Sequence, residues 1–384
     1  LKIMYFIDCN INRGGAPIST WILINEIVKN YNNIDVTIVM PKVSANEFNK
    51  KQIKVVQLEK FKERFPHMLT HPFRWGLLCK EIYKIIKKEK PNIIHVQMPI
   101  SGMAIGLLKK FSIINDDICL IYTDREHVSY MKLFHKIRYK LFIANIYNCI
   151  ITLSENNKNY WTKIAKKSLI EKIYNTAGYI YEVDDEIYAI KAKNKSTDKL
   201  RIIFVGRMVD DKNWPLAASI IEKINLDEVD VTVVISYFDK QQEKKCKIFV
   251  ENLMKKVNNI KFMFNLSQEE MSKLYYESDL LIITSKHESF GRTAVEAMSR
   301  GCAVIGTNVG GLPEVIGKKE NILPLDSTIF ANRIKYYVNN REKLNEDKIF
   351  FFNRYKANFT TKHNFFKHIV LYEKISNKNF SENS

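Results

Sequence analysis

The sequence predicts an α/β protein of two doubly wound, parallel-sheet domains in tandem. Three observations lead there. Short β-branched runs alternate with longer amphipathic stretches along the chain, the pattern of repeated βαβ units. Several runs, such as Ile202-Ile203-Phe204-Val205, are apolar without alternation, as strands covered on both faces are. The chain has 384 residues, and single cores seldom grow beyond roughly 250–300 residues.

In the first half the expected strands are Ile3–Asp8, Val36–Met40, Ile53–Leu58, Ile93–Val96, Cys119–Thr123 and Cys149–Ser154. Helical patterns cover Ile18–Asn30, with a start near Ser19, and Gly76–Glu89. The polar segment Ile190–Leu200 reads as the linker or a loop just after it. Strands then resume at Ile202–Val205, Val231–Ile235, Ile260–Phe264, Leu280–Thr284, Ala303–Thr307 and Ile322–Pro324. A helix Arg292–Arg300, closed by Gly301, follows the Leu280–Thr284 strand, and Asn364–Ile375 reads as a last helix. The domains are expected at 1–175 and 176–360, with a terminal helix and tail at 361–384. Ligands of such sheets bind beyond the carboxyl ends of the strands, so two domains facing each other would enclose a cleft.

Composition narrows the function. A hydrophobic fraction of 46% supplies ample core and excludes wholesale disorder. No export-signal pattern opens the chain, and the apolar-rich stretch 141–153 is too short to span a bilayer. A cytoplasmic protein is expected, with peripheral attachment to the inner face of the membrane as an option. Six cysteines form no CxxC pair; Cys9, Cys119, Cys149 and Cys302 lie in or beside apolar runs and read as buried free thiols. The net charge of +18 raises nucleic acid as a partner. However, 48 lysines stand against only 12 arginines, and no recognition motif accompanies them. Nucleic acid is therefore not expected; a pull towards anionic membrane surfaces fits the charge better.

Three motifs carry chemistry. Asn12-Arg13-Gly14-Gly15-Ala16-Pro17 follows the first strand and opens a helix, which suits either a phosphate cradle or an ordinary turn. Gly206-Arg207, with Lys212 after it, repeats the arrangement in the second half: a guanidinium fork and a mobile ammonium for phosphate oxygens, or two solvated surface cations. The third is HESFGRTAVEAMSRGCAVI, residues 287–305. It places Glu288 at the sheet edge, a turn at Phe290-Gly291, and Glu296 inside the helix whose first amides favour an anion. The plain alternative is a helix cap and a solvated carboxylate.

The stretch Glu288–Glu296 resembles the E-x7-E motif of retaining GT-B glycosyltransferases of family 4. Gly14-Gly15, Ile94-His95-Val96, Gly206-Arg207 with Lys212, and Gly310-Gly311-Leu-Pro-Glu314 fall in that family's order, so the resemblance covers nearly the whole chain. It implies two Rossmann-like domains facing a central cleft, the first holding the acceptor and the second a nucleoside-diphosphate sugar, UDP in preference to GDP. Glu288 would bond hexose hydroxyls, helped by backbone at Phe290 and Gly291, and Glu296 would hold the ribose. Arg207 and Lys212, with amides near Arg292 and Thr293, would stabilise the leaving diphosphate without metal or other cofactor. His127 would supply the family's active-site histidine, although Asp124 or Arg125 aligns almost as well. The implied activity is hexosyl transfer to a glycan, lipid-linked or protein acceptor in surface polysaccharide or capsule synthesis. The alternative is a non-catalytic subunit that positions a partner enzyme.

Two departures bear on this. Pro17 replaces the family's usual glutamate, and Ile235-Ser-Tyr237-Phe-Asp239 replaces a glycine-rich turn that would meet the base. The aromatic and basic stretch Phe61–Trp75 suits a lipid-linked acceptor at a membrane, or aromatics packed on their own domain. The paired acids Asp116-Asp117, Asp184-Asp185 and Asp210-Asp211 read as solvated loop acids. The resemblance also implies that the last helix returns to the first domain.

Overall fold

The computed structural model describes residues 1–9, 15–42, 53–126, 128, 131–178 and 199–376. The chain divides into two compact units: Leu1–Tyr174 with Thr361–Ser384, and Asn175–Thr360.

Unit 1 carries strands β1 (Lys2–Phe6), β2 (Asp35–Lys42), β3 (Ile53–Lys62), β4 (Ile93–Val96), β5 (Cys119–Asp124), β6 (Cys149–Thr152) and β7 (Leu169–Lys172). They form a seven-stranded parallel sheet in the order β3-β2-β1-β4-β5-β6-β7. The helices between them are α1 (Gly15–Asn30), α2 (Pro72–Glu89), α3 (Pro99–Lys110), α4 (Leu133–Phe142) and α5 (Glu155–Ile164). Because side chains alternate along a strand, each strand feeds both faces. Met4, Phe6, Ile94, Leu120 and Tyr122 join one core with Leu78 and Ile82 of α2 and Trp161 of α5. Ile3, Tyr5, Ile38, Ile93 and Ile121 join the other with Leu23, Ile24 and Ile27 of α1.

Unit 2 carries β8 (Leu200–Arg207), β9 (Val229–Ser236), β10 (Ile260–Phe264), β11 (Leu280–Ile283), β12 (Ala303–Thr307) and β13 (Ile322–Leu323). This six-stranded parallel sheet has the order β10-β9-β8-β11-β12-β13. Its helices are α6 (Trp214–Ile221), α7 (Lys240–Met254), α8 (Gln268–Glu277), α9 (Arg292–Ser299), α10 (Leu312–Ile316), α11 (Ser327–Asn339) and α12 (Arg341–Asn358). In each sheet the strand order reverses beside the first strand, between β1 and β4 and between β8 and β11. Such reversal points open a crevice at the carboxyl ends of the strands, because the flanking connections leave in opposite directions.

The last helix, α13 (Thr361–Ser376), packs in unit 1, placing Phe365, Ile369 and Tyr372 in the core beside α1. The Tyr372 hydroxyl meets Tyr5 Oη at 2.8 Å and His95 Nδ1 at 2.6 Å, all buried.

Three expectations are corrected. Strand β7 escaped notice because Leu169–Lys172 is a half-buried edge strand ending in Glu-Lys, without an apolar run. Helix α1 begins at Gly15 rather than near Ser19, with Pro17 in its first turn, where its missing N–H costs nothing. All six cysteines are free thiols, yet Cys9 and Cys119 are only half-buried. Among the described residues no helix is long and apolar enough to cross a membrane.

Candidate functional site

The crevice between β8 and β11 gathers most of the motif residues of unit 2. Strand β8 ends on Gly206 and exposed Arg207, and a single 3₁₀ turn, Asp210–Lys212, brings Lys212 back over the strand end. That turn is tied to the loop after β11: Thr284 Oγ1 donates to Lys212 O at 2.9 Å, and Lys286 N donates to Asp211 O at 2.8 Å. Lys212 Nζ then donates to Glu288 Oε2 at 2.6 Å, with Ser285 Oγ 3.4 Å from the same oxygen. Gly206 makes this possible. A Cβ there would stand 3.1 Å from Lys212 Cγ and 3.3 Å from Trp214 Cζ2, so the lysine stem lies on bare strand backbone.

Helix α9 starts at the same place. Gly291 precedes it at φ 107°, a left-handed conformation that a side chain would strain, and no side chain caps the helix. Its first amides therefore keep the N-terminal dipole available to an anion. Phe290 anchors the turn, 2% exposed and edge-on to Phe359. Gly311 N donates to Glu288 O at 2.9 Å and fixes the loop from the opposite side.

Glu296 is neither a cap nor solvated. It is buried; Arg292 Nε lies 2.9 Å from Oε1, and Tyr275 Oη donates to Oε2 at 3.4 Å. Burial raises its carboxyl above the ordinary glutamate value, with the Arg292 charge opposing. Arg292 also donates from Nη2 to Ala177 O at 3.1 Å, and Thr293 is half-buried on the first turn. The arrangement pairs a cation with a carboxylate at each of two positions: Lys212 with Glu288 at the strand ends, and Arg292 with Glu296 within the helix. Sequence reasoning missed Tyr275 and Ser285. Neither carries a motif; Ser285 sits three residues before Glu288, and Tyr275 is brought in by packing.

Other candidates fare differently. Gly14 and His127 lie outside the described residues, as do Asp184 and Asp185, while Gly15 is the exposed first residue of α1. Asp124 is fully buried, with Oδ2 accepting from Asn157 Nδ2 at 2.7 Å and Trp161 Nε1 at 2.6 Å. Burial pushes it up to about 7 against those donors. It ties α5 to the sheet and has no open face for a ligand. Arg125 donates twice to Gln97 Oε1, at 3.0 and 2.7 Å. In the 61–75 stretch, Phe61, Phe65 and Trp75 are core residues and only Phe73, 91% exposed, faces out, so of the two readings the aromatics packed on their own domain describe this stretch. Asp116 and Asp210 are exposed and pair with Lys109 and Lys245.

Residues 13–176 match the family described as Glycosyltransferase Family 4, and residues 185–348 the one described as Glycosyl transferases group 1. The chain belongs to the GT-B glycosyltransferases of family 4 type. This glycosyltransferase is similar to an uncharacterized 41.2 kDa protein in the cps region of Klebsiella pneumoniae, 26% identical over 77% of this chain and 79% of that one. It is also 28% identical to the phosphatidylinositol N-acetylglucosaminyltransferase GPI3 subunit of Saccharomyces cerevisiae, over 37% of this chain and 29% of the yeast protein. Among solved structures, sucrose-phosphate synthase of Thermosynechococcus elongatus shares the fold with a TM-score of 0.81 and 17% identity, over 97% and 98% of the two chains. HepE of Anabaena, in complex with UDP and glucose, does so with a TM-score of 0.75 and 15% identity, over 98% and 100%.

Proposed function

We propose that this glycosyltransferase moves a hexosyl group, with retention, from a UDP-sugar to a glycan, glycolipid or glycoprotein acceptor in cell-surface polysaccharide synthesis. One observation carries the reading. Lys212 and Glu288 meet at the β8–β11 reversal point, beside Arg207 and the uncapped start of α9. As the anomeric C–O bond breaks, its electron pair stays on the diphosphate, while the acceptor oxygen forms the new bond and passes its proton to the departing phosphate oxygen. Arg207, Lys212 and the first amides of α9 take up the charge that grows on the leaving group. Glu288 accepts from hexose hydroxyls and Glu296 from the ribose. In the same proposal Gly14 and Gly15 help bind the donor and His127 is catalytic. The complexes of HepE with UDP and UDP-glucose and the cps-region relative support the choice of donor and pathway class. The charge of +18 supports attachment at an anionic membrane surface.

The test is incubation with a panel of UDP- and GDP-sugars, following diphosphate release and thermal stabilisation, then the anomeric configuration of the product. UDP-sugar turnover with retained configuration is expected. Inverted product removes the retaining mechanism, and no response to any nucleotide sugar removes the enzyme reading in favour of a non-catalytic subunit.

A further inference from the structure

Unit 1 contains a cavity of about 570 Å³ at the carboxyl ends of β1, β4 and β5, on the reversal point of that sheet. Its charges do not cancel. Arg138 of α4 lines it while only 4% exposed. The guanidinium reaches His67 Nε2 at 3.2 Å and His135 Nδ1, and lies 5.5 Å from the Phe134 ring, while its own Nε has no hydrogen-bond partner. None of these neighbours is an acid. Both imidazole nitrogens accept from the guanidinium, so neither of them carries a proton. Burial, and after it the charge of Arg138, holds His67 below its usual value. The histidines thus solvate the cation without neutralising it. Arg64 and Lys132, exposed on the same cavity, have no acidic partner among the described residues either.

The acids of the cavity are engaged elsewhere. Asp8 accepts from Ile100 N at 2.7 Å and Ser101 N at 3.1 Å on the first turn of α3, and Glu126 accepts from Tyr139 Oη at 2.6 Å. Burial raises Asp8 to about 6, with Glu126 adding to the rise. A buried guanidinium without a counter-charge is unfavourable unless something brings one. Met98, Met103 and Met131 add apolar surface to the lining.

We propose that this cavity binds a hydroxylated ligand carrying one phosphate or carboxylate group, an acidic sugar. The oxyanion meets Arg138, with Arg64 and Lys132 at the rim, and ring hydroxyls donate to Asp8 and Glu126. In calling that ligand the acceptor, the assignment rests on the donor reading above; the binding itself does not.

The experiment is calorimetry on the full chain presaturated with UDP, so that the cations of unit 2 are occupied. Glucose 6-phosphate and glucuronate separate the phosphate and carboxylate sources, and glucose is the neutral control. At least one acidic sugar should bind about tenfold or more tightly than glucose, by roughly one decade in Kd. Arg138→Gln should abolish that preference with UDP binding unchanged and without lowering Tm, since it removes an uncompensated charge. Equal binding of all three sugars overturns the assignment, as does an Arg138→Gln protein that keeps the preference or loses Tm. The surface variant Arg64→Ala/Lys132→Ala gives an independent reading: it should weaken the preference severalfold, and an unchanged preference overturns the proposal. Acid-sugar selectivity without UDP binding would sink the donor reading and leave the cavity assignment standing. UDP binding without selectivity would do the reverse.

Discussion

Replacing Glu288 and Glu296 by glutamine, one at a time, should move UDP binding in opposite directions. Glutamine keeps size and acceptor oxygen but removes the charge. At Glu296 the side chain is buried beside Arg292, and in the proposed complex it accepts from ribose. A hydrogen bond to a charged group contributes about 1.5–3 kcal/mol and a neutral one about 0.5–1.5. Glu296→Gln should therefore weaken UDP by about 1–1.5 kcal/mol, or roughly fivefold to tenfold in Kd. Because burial raises the Glu296 carboxyl, the loss should be largest at alkaline pH and shrink as acid protonates the wild type. Glu288 holds Lys212 at 2.6 Å, the pair being 13% and 20% exposed. The product UDP has no hexose for Glu288 to bond, so releasing Lys212 to the diphosphate should tighten binding. For a partly solvated pair the gain is about 0.2–1 kcal/mol, no more than about fivefold. The same variant should lose kcat/KM on the complete donor. Titration calorimetry with UDP at pH 8, then kinetics, makes the comparison. If Glu288→Gln weakens UDP as Glu296→Gln does, or Glu296→Gln leaves it unchanged, the division of labour between the two glutamates is wrong.

Three further outcomes follow from the same geometry. Arg207→Ala should reduce turnover by about 100-fold or more with Tm unchanged, since the side chain is exposed and acts on leaving-group charge; near-normal rates would remove it from the site. Gly291→Ala should destabilise unit 2 by about 2–3 kcal/mol in urea titrations, because φ is 107° and the new Cβ would stand 2.8 Å from Leu312 Cδ1; a neutral result would mean the turn relaxes freely. His368, buried in unit 1, is lowered from 6.5 to about 4 by desolvation, so between those values the unfolded chain binds the proton and the folded chain does not. Stability present above pH 6.5 is thus lost as pH falls towards 4, by up to about 3 kcal/mol from this residue. Asp8, raised to about 6, acts in the opposite sense, so the slope is compared between wild type and His368→Gln; equal slopes would refute the assignment.

Much of the fold was legible because strand and helix periodicities are local consequences of which faces are covered. Ile93–Val96, Ile260–Phe264 and Ala303–Thr307 were readable to the residue, since each is a short, mainly apolar run. Leu169–Lys172 was not, because an edge strand needs no apolar run. Within the site, the spacing of Glu288 and Glu296 around Gly291 was readable, and so was the reach of Arg207 and Lys212 from a strand end.

What remained was decided by partners distant in the chain. Lys212 and Glu288 are 76 residues apart, and Tyr275 meets Glu296 across 21. A buried glutamate and a surface glutamate look alike in sequence, since burial is conferred by elements that arrive from elsewhere. The same holds for Phe61, Phe65 and Trp75, whose sequence suits a membrane-facing stretch or a packed one and which are core. Arg138 is the sharpest case. Its basic neighbours His67 and His135 come from two segments, and nothing local reveals that no carboxylate joins them. Local patterning thus determined the two sheets and the position of the motif on them. Tertiary packing determined which charges are buried and paired, and which one is buried without a carboxylate partner, because charge pairing acts through space rather than along the chain.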